Sequence, residues 1–205
     1  MIIHDMEQRS DEWYKIRELK LTASNATAIA SSGKGLETYT TKIVSEYFSS
    51  SEEESYSNKH IERGIELESE ARSIYELETS NVVKEVGFIE HSENVGCSPD
   101  GLIEKDGGIE IKCNEDKAYT ELAISDKVDT TYMWQMQMSI LICNCKWWDF
   151  VCYNPNYKRS IYIKRITLDT TAQDKLLKGI GKGVEQIKLK IEKMENYLNG
   201  NKIIR

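Results

Sequence analysis

The tightest constraint in the sequence is a hairpin. Ser98-Pro99-Asp100-Gly101 reads as the lip of a strand or tight turn, and Lys105-Asp106-Gly107-Gly108 is a glycine-rich reversal suited to joining two strands. The following run, Ile109-Glu110-Ile111-Lys112-Cys113, alternates. Glu110 and Lys112 therefore point to one face of a strand, and Ile109, Ile111 and Cys113 to the other. An ordinary surface hairpin, with Glu110 and Lys112 paired in solvent, accounts for this pattern. So does a chemical site, in which Asp100, Glu110 and Lys112 meet on two neighbouring strands.

The chemical reading has a specific content. Hard divalent cations prefer oxygen, so Asp100 and Glu110 are natural ligands for Mg²⁺ or Mn²⁺, with the carbonyl of Ile111 as a third oxygen. A phosphodiester hydrolyses slowly because water is a poor nucleophile and the phosphate repels negative charge. A bound cation remedies both, while Lys112 would hold or deprotonate the attacking water and offset charge on the phosphate. Such a group needs no histidine, which suits a chain with three.

A chain of 205 residues can bury one good core, so a single domain over 1–205 is expected. Apolar residues make up 40% and charged residues 30%, as in an ordinary soluble globular protein. No apolar run approaches the roughly 20 residues that cross a bilayer, and the N-terminus has no basic region or sustained apolar core, so the cytoplasm of a bacterial host is expected. The five cysteines fit a reducing compartment, and the spacing of Cys143, Cys145 and Cys152 suits buried thiols better than zinc. The net charge of −7 would argue against nucleic acid if phosphates responded to a global sum, but they respond to local potential. Basic clusters stand at Lys15, Arg17 and Lys20 and at Lys158, Arg159, Lys164 and Arg165, and an acidic, serine-rich run at 49–55 reads as a solvated loop.

Periodicity and caps predict helices over 10–17, after Thr22, over 38–48, over 59–78, over 118–124 and over 131–142, and a last one capped by Asp169 that reaches residue 198. Strands are expected at 82–90, near Val95, at 102–104 and 109–113, and at 147–153 and 160–167 around an Asn154-Pro155-Asn156 turn. On the 59–78 helix, Ile65, Ala71, Ile74 and Tyr75 form the expected inner side. This order gives an α/β fold with helices layered on a central mixed sheet. Thr22 or Ser24 is placed to cap the helix that begins Ala23-Ser24-Asn25-Ala26, and a helix N-terminus attracts anions. Gly179-Ile180-Gly181-Lys182-Gly183 lacks the preceding strand of a phosphate loop and marks instead a weak or closely packed part of the last helix.

Five stretches, in order, resemble the lambda-type alkaline exonucleases, also called YqaJ-like viral recombinases, of the PD-(D/E)XK nuclease superfamily. They are Trp13 to Arg17 with Thr22-Ala23-Ser24, Gly64 to Ala71, Ser98 to Leu102, Glu110 to Cys113, and Tyr132 to Gln137. The resemblance implies a restriction-endonuclease-like core and further site residues. Asp100 and Glu110 would be metal ligands with Glu68 near or on a metal, Lys112 the catalytic lysine, and Gln135 a residue positioning water or the scissile phosphate. Arg17, Ser24 and Ser98 would hold a terminal phosphate. It also implies digestion of duplex DNA from a 5′ end, a 3′ overhang passed to a single-strand annealing protein, and a ring trimer. A different nuclease of the same superfamily, or a DNA-binding protein that has lost its chemistry, are the alternatives.

Overall fold

The computed structural model describes residues 1–50, 59–104 and 106–200; the acidic run at 51–55 and Lys105 lie outside them. In chain order the elements are β1 (Ile2–His4), α1 (Asp11–Ile16), β2 (Leu21–Thr22), a 3-10 turn (Ala23–Asn25), α2 (Ala26–Ser31), α3 (Lys34–Phe48) and α4 (Lys59–Thr79). Then follow β3 (Val83–Lys84), β4 (Phe88–Ser92), β5 (Val95–Cys97), β6 (Gly101–Ile103), β7 (Gly107–Lys112), α5 (Asp116–Ser125), α6 (Thr130–Cys143), β8 (Trp147–Tyr153), β9 (Ile161–Thr167) and α7 (Thr170–Leu198).

The strands form two sheets, in the orders β1-β4-β5-β2 and β3-β6-β7-β8-β9. The five-stranded sheet is mixed, with β7 and β8 parallel and its other pairs antiparallel. Both of its faces are covered, as a parallel pair requires. On one face α4 lays Ala71 and Tyr75 against Ile103, Ile109, Ile111, Val151, Tyr153 and Ile161. On the other, α6 covers Trp148, Phe150, Cys152 and Ile166, in one core with its own Met136, Met138, Ile140 and Ile142. Burying an apolar side chain of this size contributes about 1.5–3 kcal/mol, so the two layers dominate the stability of the sheet. The same helix α6 also lies against β4 and β5, and is thus enclosed between the two sheets. The expected inner side of α4 holds at Ala71 and Tyr75, but Ile65 is exposed.

Several details depart from expectation for reasons of packing. The run at 82–90 is two strands in different sheets. The chain breaks at Gly87, where a Cβ would lie 2.2 Å from the Met6 carbonyl oxygen, and β4 leaves to pair with β1. Gly107 and Gly108 belong to strand β7 and not to the turn before it. A Cβ on either would collide with the rings of Trp147 and Trp148 at 2.2 and 2.3 Å. Among the described residues before β7, Glu104 is left-handed, at φ 48°. Thr22 precedes the 3-10 turn with no side-chain capping bond, so neither it nor Ser24 caps the helix as expected. Asp169 does cap α7, accepting from the Thr171 and Ala172 amides. Of the two expectations for the glycine-rich part of α7, close packing holds at Gly179, against the Ile29 carbonyl, and at Gly183, against Leu21, whereas Gly181 has nothing within 4 Å of a Cβ.

Candidate active site

The register of the β6–β7 hairpin, with Gly101 opposite Ile109, sets Asp100 beside Glu110. Asp100 Oδ2 accepts a hydrogen bond from the Ile111 amide at 2.6 Å, which locks the carboxylate to the strand. Glu110 projects to the α6 face, where it is 2% exposed. There Gln135 Nε2 donates to its Oε1 at 2.7 Å, and Lys112 Nζ donates to the same oxygen. Lys112 also lies 5.2 Å from the centre of the Tyr132 ring. Ile109 and Ile111 go to the opposite face, into the α4 layer. The strand alternation is therefore as read from the sequence, but Glu110 is buried, and the solvent-exposed ion pair is the reading that fails.

From α4, Glu68 completes the acid group. Arg72 Nη2 donates to its Oε1 at 3.0 Å, and Arg9 Nη2 stands 3.9 Å from its Oε2. The charges of these groups reach one another. Burial pushes the Glu110 carboxyl up to about 7, with the charges of Asp100 and Glu68 adding to the rise and Lys112 opposing it. Asp100 and Glu68 are likewise raised, first by burial, with Lys112, Arg72 and Arg9 holding both down. Burial works against the Lys112 ammonium, but Glu110 and Asp100 outweigh it, so the lysine is held charged. In the metal-free protein it therefore stands as an ammonium beside the two acids.

The three carboxylates act on one another's charge, and a cation among them would relieve that repulsion. The donors fit a hard divalent ion: Asp100, Glu110, Glu68 and the main-chain carbonyl of Ile111 are all oxygens. Cys113, next along the chain, has its thiol pushed up to about 12, chiefly by burial, and so contributes no thiolate. Among the described residues no three His, Cys, Asp or Glu side chains by themselves enclose a metal site. Mg²⁺ suits such an arrangement, since it keeps several waters and takes one or two carboxylates with phosphate oxygens.

A second group lies next to the first along the chain. The Arg17 guanidinium stacks 4.1 Å from the centre of the Trp13 ring, one helical turn earlier, and its Nη1 donates to Ser98 Oγ at 2.9 Å. Trp13 Nε1 donates to the same hydroxyl at 2.9 Å. Burial lowers the Arg17 pKa, the sign of a cation short of counter-charge. Strands β2 and β5 run parallel, with Thr22 opposite Gly96, so Ser24 and Ser98 leave the sheet at the same end. The fold thus joins Arg17 to Ser98 directly and places Ser24 at the neighbouring strand end, hydrogen-bonded to Thr22 and Asn25.

The basic clusters are partly paired with acids and carbonyls of the same chain. Lys20 is 9% exposed and bonds Glu90 and the Glu93 carbonyl. Lys164 pairs with Asp126, and Arg165 grips Asp149 with two nitrogens at 2.8 Å. Of the two glutamines on α6, Gln135 faces the acids. Gln137 is structural, bonding the Thr167 carbonyl, the Asp169 amide and Gln173. Sequence reading passed over Arg72, Arg9 and Tyr132. Arg72 was findable from its i,i+4 spacing to Glu68, whereas nothing local points Arg9 at the acids.

The chain matches the model of the YqaJ-like viral recombinase domain over residues 12–146. Among solved structures it is similar to the alkaline exonuclease LHK-Exo from Laribacter hongkongensis, at 28% identity and a TM-score of 0.85, over 93% of this chain and 99% of that one. The same figures hold for LHK-Exo in complex with dAMP. A phage-related exonuclease from Haemophilus somnus 129PT shares the fold at 17% identity and a TM-score of 0.62, over 85% of this chain and 96% of that one. Comparison with curated protein sequences finds no match. With more than half of its length covered by that one model, this chain belongs to the YqaJ-like viral recombinase family.

Proposed function

We propose that the protein is a Mg²⁺-dependent exodeoxyribonuclease acting on the ends of linear duplex DNA. The observation that carries this reading is the buried Glu110, with Lys112 and Gln135 both donating to one of its oxygens and Asp100 beside it, at the residue that leads into the neighbouring strand. Asp100, Glu110 and the Ile111 carbonyl, with Glu68 at the margin, would hold Mg²⁺, and Mn²⁺ would substitute. When bound, the cation supplies an activated water and offsets the negative charge that builds on the phosphate. Lys112, held as an ammonium, would lie against the scissile phosphate. Gln135 fixes the orientation of the Glu110 carboxylate and would position the water or the phosphate.

Arg17, Ser98 and Ser24 would take a terminal 5′ phosphate, the Trp13 ring holding the guanidinium flat for two-point contact. LHK-Exo binds dAMP, a nucleoside monophosphate, which supports a site suited to a mononucleotide phosphate. The finer reading is digestion from the 5′ end, release of mononucleotides, and a 3′ overhang delivered to a single-strand annealing protein, with three chains closing around the duplex. Among the described residues no helix is long and apolar enough to cross a membrane.

The test is a comparison of a linear duplex with the same DNA as a covalently closed circle, each with and without Mg²⁺. The linear form should disappear and the circle persist. Cutting of the circle would turn the assignment to an endonuclease, and loss of neither form would leave a DNA-binding protein. The mass in solution decides the trimer.

A further inference from the structure

Arg9 sits where the backbone asks for another residue. It occupies the third position of the Glu7–Ser10 turn, closed by the Ser10 amide donating to the Glu7 carbonyl at 3.3 Å. Its φ is 72°, in the left-handed region where turns of this kind take Gly or Asn. Among the other left-handed residues, Leu19 lies in the Arg17–Lys20 turn, where its side chain packs against the core and Asn94 donates to its carbonyl at 3.0 Å. Ser32, Ser80, Asp126 and Asn144 follow the ends of helices α2, α4, α5 and α6, and Glu104 sits in the hairpin turn. Those are ordinary places for this conformation.

What Arg9 gains for stability does not offset that strain. Its side chain is 44% exposed, and its partner oxygen on Glu68 is 3.9 Å away, a long ion pair of negligible worth. Its aim is nonetheless fixed. The preceding residue, Gln8, donates to the carbonyl of Pro99 at 3.0 Å and to that of Val86 at 3.1 Å, which ties the turn to the strand end next to Asp100. From there the guanidinium acts on both Asp100 and Glu68. Backbone strain that orients a cation toward the acids of a candidate site points to use in function.

We propose that Arg9 is a substrate-binding residue: in the free protein it rests on Glu68, and it passes to a phosphate oxygen of the DNA strand when a divalent cation takes the acids. This rests on the nuclease reading of the site. Glu68 already has a second cation in Arg72, at 3.0 Å, so release of Arg9 does not strip it bare. Arginine presents a planar fork to phosphate, and its charge is fixed across the working pH range.

The proposal predicts three effects of Arg9→Gly with different signs. The melting temperature should rise by about 2–4 °C, because glycine adopts this φ freely. Ca²⁺ or Mg²⁺ should bind several-fold more tightly by calorimetry, because a competing cation has left the acids. A 5′-phosphorylated duplex, held uncut in Ca²⁺, should bind about tenfold more weakly, with the slope of log affinity against log salt reduced by about 0.9, the share of one phosphate. Arg9→Lys keeps the charge and the strain, and should restore most of the salt slope without raising the melting temperature. If Arg9→Gly binds DNA and cation as the wild type does, the inference is overturned and the residue is only part of a turn. If the wild type binds no duplex in Ca²⁺, the nuclease reading itself falls and this one with it.

Discussion

At the scale of single residues, the behaviour of the site follows from burying Glu110. Its carboxyl is raised from 4.5 to about 7, chiefly by desolvation. The folded protein therefore keeps a proton that the unfolded chain has lost between those values, and stability must fall as pH climbs through that window. In metal-free protein, urea midpoints from pH 4.5 to 7 should decline, and Glu110→Gln should flatten the decline by up to one proton's share, about 1.4 kcal/mol per pH unit. An unchanged slope would mean the carboxyl is not desolvated. Arg17 is a second case in which burial leaves a charge in need of a partner. Arg17→Ala should slow digestion of 5′-phosphorylated ends about 10- to 100-fold, the worth of a charge-assisted contact, and leave 5′-hydroxyl ends nearly untouched. Equal losses on both ends would remove the phosphate pocket.

At the scale of elements, close packing explains both what was legible and what was not. Local signals placed most helices and the β6–β7 and β8–β9 hairpins near their true positions, because alternation, caps and the Asn154 turn are written within a few residues. In that turn the Asn156 amide donates to Asn154 Oδ1 at 3.0 Å. The strands β1 and β2 have three and two residues, too short for a period to show. Gly107 and Gly108 resembled turn residues, yet their need for small size comes from Trp147 and Trp148, on a strand about forty positions later. The acid–lysine strand was legible for what it carries, whereas its burial was not, since that depends on α6. Helix α7 offers a controlled comparison. A Cβ on Gly179 would sit 1.9 Å from the Ile29 carbonyl oxygen, whereas one on Gly181 meets nothing within 4 Å. By urea denaturation Gly179→Ala should cost about 1–3 kcal/mol or more, while Gly181→Ala should gain about 0.5–1 kcal/mol. Similar effects at the two positions would contradict this packing of α7 on α2.

At the scale of the whole molecule, the two sheets and the helix enclosed between them bring residues from 9 to 135 to one place. Asp100 comes from the residue that leads into β6, Glu110 from the neighbouring β7, Glu68 from the helix behind, Gln135 from the helix in front, and Arg9, Arg17 and Ser98 from the smaller sheet and its approaches. A net charge of −7 is a global sum that hides local differences: Lys20, Lys164 and Arg165 are paired with acids of the same chain, while Arg17 is held against a serine and a ring. In the proposed function Asp100, Glu110 and Lys112 act as one cation-dependent hydrolytic group. Its most direct test is the rate at which wild type, Asp100→Ala, Glu110→Gln and Lys112→Ala release label from a linear duplex marked at either 5′ or 3′ end, in Mg²⁺ and in chelator. Wild type in Mg²⁺ should release 5′ label early as mononucleotide. Chelator and each substitution should cut that rate by roughly 10³-fold or more, while the variants still melt cooperatively. Release that persists in chelator, or in a folded Asp100→Ala protein, would contradict it.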